Sequence, residues 1–187
     1  MKTETFTKTF CQFEELSAEA QARAIEAHWD INVVDNYWSE GVIEDRTAVL
    51  KELGFKHIEF QYNGFCCQGD GASFTAQFHI PASREELAER IRQAKAYAPE
   101  IDLSLFEKID FFDDSVTSDN FIVYRIDHYY VHENTISSYS EAMKEFARDF
   151  SQDTYHALRN EYDFLTSEEQ VTESLIANEI EFEEITK

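Results

Sequence analysis

A glycine-rich break between two alternating apolar runs constrains this chain more than any other stretch. It reads Tyr62-Asn63-Gly64-Phe65-Cys66-Cys67-Gln68-Gly69-Asp70-Gly71-Ala72-Ser73-Phe74 and holds three of the chain's five glycines. Before it, Ile58, Phe60 and Tyr62 alternate with polar residues; after it, Phe74, Ala76, Phe78 and Ile80 do the same. Period-two alternation on both sides of such a break predicts two antiparallel strands, over about 56–62 and 72–80, with Pro81 as the stop. Gly69-Asp70-Gly71 supplies the positive-φ positions of a tight reversal. Residues 63–71 make a longer connection than the usual hairpin loop of about two to five residues. A loop of that length with aromatic, amide, thiol and carboxylate groups makes Phe65, Gln68 and Asp70 candidate binding residues. The plainer reading is a decorated hairpin whose Phe65 tucks into the core. Asp70, flanked by glycines in a turn, is placed to bond neighbouring backbone N–H groups.

The rest of the chain reads mainly as helices. Thr3 to Phe10 alternates and predicts a first strand. Ser17 caps a helix through about Trp29, rich in alanine and with Glu19 in the first turn, where the helix dipole favours a carboxylate. A second helix is expected from about Val34 to Leu53, stopped by Gly54. Ser83-Arg84-Glu85-Glu86 is a capping box that opens a helix to about Ala98, before Pro99. Leu103, Phe106 and Ile109 suggest a short helix after it. The run from Phe121 to His132 is apolar on both faces and reads as a central strand. A long helix is expected over about 140–165, and Ser167-Glu168-Glu169-Gln170 opens another to about Asn178. The tail alternates Glu179, Glu181 and Glu183 with Ile180 and Phe182, as an edge strand would.

These elements predict an α+β fold: a small antiparallel sheet of three to five strands, with about five helices packed mainly on one face. At 187 residues, 43% of them hydrophobic and 14% aromatic, the chain is expected to form one domain with a sizeable core. No apolar run approaches the roughly 20 residues of a membrane span. The N-terminus has no apolar signal-peptide segment. Three cysteines, two of them adjacent, match neither a disulfide framework nor a CxxC metal knuckle. The expected compartment is a reducing cytoplasm, that of a host cell.

Charge narrows the class of partner. The 38 Asp and Glu outnumber the 16 Lys and Arg, giving a net charge of −22. Such a field repels nucleic acid and anionic membranes, and speeds encounter with basic partners. The acids are unevenly spread. Residues 161–187 carry nine acids against one lysine, and residues 100–119 carry seven, Asp113 and Asp114 among them, against Lys108 alone.

Three segments resemble a family of small uncharacterised proteins carried by phages and mobile elements. They are Gly64-Phe65 with Gln68-Gly69-Asp70-Gly71-Ala72-Ser73-Phe74, then Tyr129-Tyr130-Val131-His132-Glu133-Asn134, then Glu161-Tyr162-Asp163-Phe164-Leu165-Thr166-Ser167. The resemblance implies a mobile-element setting and no particular activity.

Enzyme chemistry draws little support. On a strand, His128 and His132 stand about 13 Å apart, too far for one ion held at about 2.0–2.1 Å from each nitrogen. A Cys67–His132 pair has nothing that places a base beside the thiol. Gly69-Asp70-Gly71 lacks the Lys-Ser/Thr of a phosphate loop and precedes a strand. No catalytic residue, metal or cofactor is expected.

The leading expectation is a non-enzymatic, phage-borne inhibitor of a host defence system that handles nucleic acid, of restriction or CRISPR type. Glu168, Glu169, Glu173, Glu179, Glu181 and Glu183, with Asp113 and Asp114, would present carboxylates that imitate phosphates to a basic host protein or complex. Two alternatives stand beside it. One is an antitoxin-like or assembly partner that binds through the aromatic loop. The other is a small enzyme acting through Cys67, Asp70 and His132.

Overall fold

Three serines in the described part of the chain start helices. Ser17 Oγ accepts the N–H of Ala20 at 3.3 Å, Ser83 Oγ that of Glu86 at 3.2 Å, and Ser167 Oγ that of Gln170 at 3.3 Å. Each bond satisfies one of the donors that a helix N-terminus leaves open. The computed structural model describes residues 7–67, 69–109 and 141–186. Their order is β1 (Thr7–Gln12), a 3-10 turn (Phe13–Glu15), α1 (Ala18–Ala27), a second 3-10 turn (Asn36–Ser39), α2 (Glu40–Glu52), β2 (Phe55–Asn63) and β3 (Gly71–Phe78). Then come α3 (Arg84–Tyr97), α4 (Ser104–Glu107), α5 (Glu141–Leu165), α6 (Glu168–Ala177) and β4 (Glu181–Thr186). The fold is α+β, as expected. Its four described strands form two antiparallel pairs, β1–β4 and β2–β3. The expected strand at 121–132 lies outside the described residues.

The chain divides into two compact units, residues 1–39 with 160–187, and residues 40–159. In the larger unit the hairpin pairs Phe60 with Phe74 and Asn63 with Gly71. Its register shifts between Lys56 and Glu59, where His57 takes a φ of 52°. The extra residue bends β2 next to Phe55. Phe55 is the hub of this core. Its ring lies 4.7 Å from Phe78, 6.2 Å from Phe74 and from Phe106, and 6.3 Å from Phe146, centroid to centroid. These separations suit the offset and edge-on arrangements that aromatic pairs prefer. Val49 and Leu50 of α2, Leu53 in the turn after it, Ala94 of α3, Leu103, and Met143, Phe146 and Phe150 of α5 belong to the same buried cluster. The 3.6-residue spacing on α5 brings Met143, Phe146, Ala147 and Phe150 to one stripe.

In the smaller unit, α1, α6 and the β1–β4 pair enclose Phe13, Leu16, Ala24, Val171 and Leu175. Ile180 and Phe182 pack against this cluster. The ring of Phe182 lies 6.2 Å from that of Phe13 and 5.7 Å from that of His28. Helix α6 ends in a 6→1 bond from Ile180 N–H to Leu175 carbonyl, with Glu179 N–H bonding Ile176. Glu179 takes the left-handed position of this motif, at φ 50°. Asn32 ties two further segments. Its Nδ2 donates to the Leu165 carbonyl at 2.9 Å, and its Oδ1 accepts from Ser174 Oγ at 2.6 Å.

Two boundaries differ from the sequence reading. The helix expected from Val34 begins at Glu40. Ahead of it, Asp35 Oδ1 accepts the Tyr37 N–H at 3.0 Å, a local bond that competes with helix formation. Val34 and Tyr37 consequently stay exposed. The first strand, expected to end at Phe10, runs on to Gln12, and the tail pairs Phe182 with Cys11 and Glu183 with Phe10; Thr3 to Phe6 lie outside the described residues.

Candidate functional site

The hairpin loop is organised by one carboxylate. Asp70 Oδ2 accepts the backbone N–H of Cys66 at 2.7 Å and of Cys67 at 2.5 Å. The Asp70 N–H returns to the Cys67 carbonyl at 3.1 Å, and Asn63 Oδ1 accepts the Gly71 N–H at 3.1 Å. Charge-assisted bonds of this kind are shorter and stronger than neutral ones. Gly64 makes room for the clamp. Its φ is +46°, and a Cβ there would lie 2.4 Å from Asp70 Oδ1. Phe65 is half-buried, stacked between Tyr62 at 6.4 Å and Tyr155 of α5 at 5.6 Å. Gln68 lies outside the described residues.

The clamp turns both thiols outward. Cys66 and Cys67 are exposed, and their sulfurs stand 3.5 Å apart. The Cys66 thiol, by hydrogen bond and by charge, and then the Asp70 carboxylate, push the Cys67 thiol above its ordinary range. A raised thiol is a poor nucleophile at neutral pH. The sulfur atoms and an Asp70 oxygen all lie within 4.8 Å of one another. His132, the third member of the candidate enzyme triad, lies outside the described residues, as does His128.

The acidic candidates of the tail sit on α6 and β4 of the smaller unit. Glu168, Glu169 and Glu173 are exposed on α6, and Glu181 and Glu183 are exposed on β4. The alternation of β4 puts Glu181 and Glu183 on the face opposite Phe182. Glu179, also exposed, belongs to the turn between α6 and β4 instead of the strand. Gln170 Nε2 donates to Glu173 Oε2 at 3.0 Å. Asp113 and Asp114 lie outside the described residues.

A further acidic feature escaped the sequence reading. A cleft of about 340 Å³ in the larger unit is lined by Glu100, Asp102, Asp149, Asp153 and His156 around Phe146 and Phe150. Asp149, Asp153 and His156 follow one another at i, i+4 and i+7 on α5, so the spacing carried the signal. Arg46 partly neutralises the cleft. Its Nη1 lies 2.8 Å from Asp153 Oδ2, as an ion pair outside hydrogen-bonding geometry. The basic residues of α3 are also engaged: Arg92 pairs with Glu89 at 2.6 Å and Lys95 with Glu107 at 2.6 Å.

Among the described residues, no helix is long and apolar enough to cross a membrane. No curated protein and no solved structure matches the chain. One family model covers residues 38–168, which include the hairpin, its loop and all of α5. On that match, which spans more than half of its length, the chain belongs to the family described as "Domain of unknown function (DUF8835)".

Proposed function

We propose that this protein is a non-enzymatic binding protein that presents a carboxylate-rich surface to a basic partner. The observation that carries the reading is the exposure of Glu168, Glu169, Glu173, Glu181 and Glu183 on two rigid elements of one unit. Carboxylates held on a helix and a strand keep fixed spacings, whereas those on a loose tail do not. Glu181 and Glu183 stand about 6.6 Å apart at the strand rise. That is close to the phosphate step along one strand of nucleic acid. A net charge of −22 adds long-range attraction for a positively charged groove. The partner class that fits is a basic nucleic-acid-handling protein or complex of a host cell. Its channel normally neutralises phosphates with Lys and Arg. Together with the resemblance to phage-borne proteins, this favours inhibition of a restriction or CRISPR-type system.

An antitoxin-like or assembly partner that docks through the loop draws less support. Phe65, the side chain such a contact would use, is already stacked between Tyr62 and Tyr155. Salt separates the two readings. The captured partner should be released steeply as salt rises, and short duplex DNA should compete for it. Binding that is insensitive to salt and to DNA contradicts the acidic-surface reading.

A further inference from the structure

The adjacency of Cys66 and Cys67 excludes a CxxC knuckle, yet the folded loop gives the pair a different capacity. Two thiolates on one tetrahedral ion, each at about 2.3 Å from the metal, stand about 3.8 Å apart. The Cys66 and Cys67 sulfurs stand at 3.5 Å, both exposed, so they reach this separation with a small side-chain rotation. An Asp70 oxygen lies within 4.8 Å of both. Sulfur and carboxylate oxygen on such an ion stand about 3.5 Å apart, so the third ligand is also near its place.

We propose that Cys66, Cys67 and Asp70 form a surface site for a thiophilic divalent cation of the zinc class. Soft thiolates select such ions over magnesium or calcium, which prefer all-oxygen shells. Asp70 is held as a supported ligand is held: its Oδ2 accepts two backbone N–H bonds, which fix the carboxylate beside the two sulfurs. The same bonds fix the backbone from which both sulfurs project, so little ordering remains to be done on binding. Binding displaces the two thiol protons to solvent, with no change of oxidation state. The fourth position opens to water, because both cysteines lie at the surface. This site rests on the loop alone and does not depend on the acidic surface.

The test uses the full chain, kept reduced with a phosphine, and titrated with Co²⁺ alone and Zn²⁺ alone. The expected result is one ion per chain, with a thiolate-to-cobalt charge-transfer band that Zn²⁺ bleaches. Cys66→Ser and Cys67→Ser should each remove the band and weaken Zn²⁺ at least tenfold, while Cys11→Ser changes neither. Asp70→Asn should keep the band and weaken Zn²⁺ about tenfold. Circular dichroism of each variant confirms that the chain is folded. Absence of the band, or Zn²⁺ binding that survives Cys67→Ser, overturns the site. Unchanged affinity in Asp70→Asn overturns the three-ligand assignment.

Discussion

One oxygen of Asp70 takes the backbone N–H groups of both Cys66 and Cys67, at 2.7 and 2.5 Å. A side chain therefore holds the loop together with one backbone bond, from the Asp70 N–H to the Cys67 carbonyl. Removing the acceptor strands two donors and frees the segment. Asp70→Ala should destabilise the protein by about 1–2 kcal/mol in urea unfolding. Asp70→Asn keeps an oxygen at the same place and should lose less than half as much. Equal losses contradict the clamp.

Gly64 and Asp70 are coupled by space. An alanine Cβ at 64 would meet the carboxylate, and the φ of +46° disfavours a side chain as well. Gly64→Ala should cost about 1–3 kcal/mol. In an Asp70→Ala background the obstructing carboxylate is gone, so the same change should cost measurably less. Strict additivity in a double-mutant cycle contradicts the packing of Gly64 under Asp70.

Phe55 touches more of the larger core than its place at a strand end suggests. It is 2% exposed and meets rings from β3, α4 and α5. Phe55→Ala should cost about 3–5 kcal/mol, while Phe55→Leu keeps much of the volume and should cost less. Comparable unfolding midpoints for wild type and Phe55→Ala contradict its role as hub.

Glu86 gives a pH signature. The Ala82 N–H first, and then Arg90, hold its carboxyl below the ordinary range. Ala82 donates at 2.8 Å, and Arg90 bonds the other oxygen at 2.5 Å. A depressed folded-state value contributes stability above the unfolded value and loses it as pH falls through the folded one. The stability deficit of Glu86→Gln should thus be present at neutral pH and shrink once pH falls below about 4. A deficit that grows on acidification contradicts this sign.

Much of the fold was legible from local chemistry. Ser17, Ser83 and Ser167 announce their helices because capping is decided within four residues. The hairpin was legible because alternation and glycine placement are local too. What was hidden depends on distant partners. The division of the described strands into two pairs needs β1 to find β4 across most of the chain, and no local pattern states that. The start of α2 was misread because the side chain of Asp35 takes the Tyr37 N–H ahead of the helix. At the site, the tail glutamates were visible from sequence because a strand's alternation assigns its faces. The approach of the two sulfurs was not, because it follows from the Asp70 clamp.

The central claim is that the α6 and β4 carboxylates face the partner. Like charges this close oppose folding, so their removal should not harm the fold. The most direct measurement compares wild type with the combined Glu169→Gln, Glu173→Gln, Glu181→Gln and Glu183→Gln variant, in melting temperature and in affinity for the partner captured from host lysate. The account predicts an unchanged or higher melting temperature and affinity at least tenfold weaker; unchanged affinity in the folded variant contradicts it.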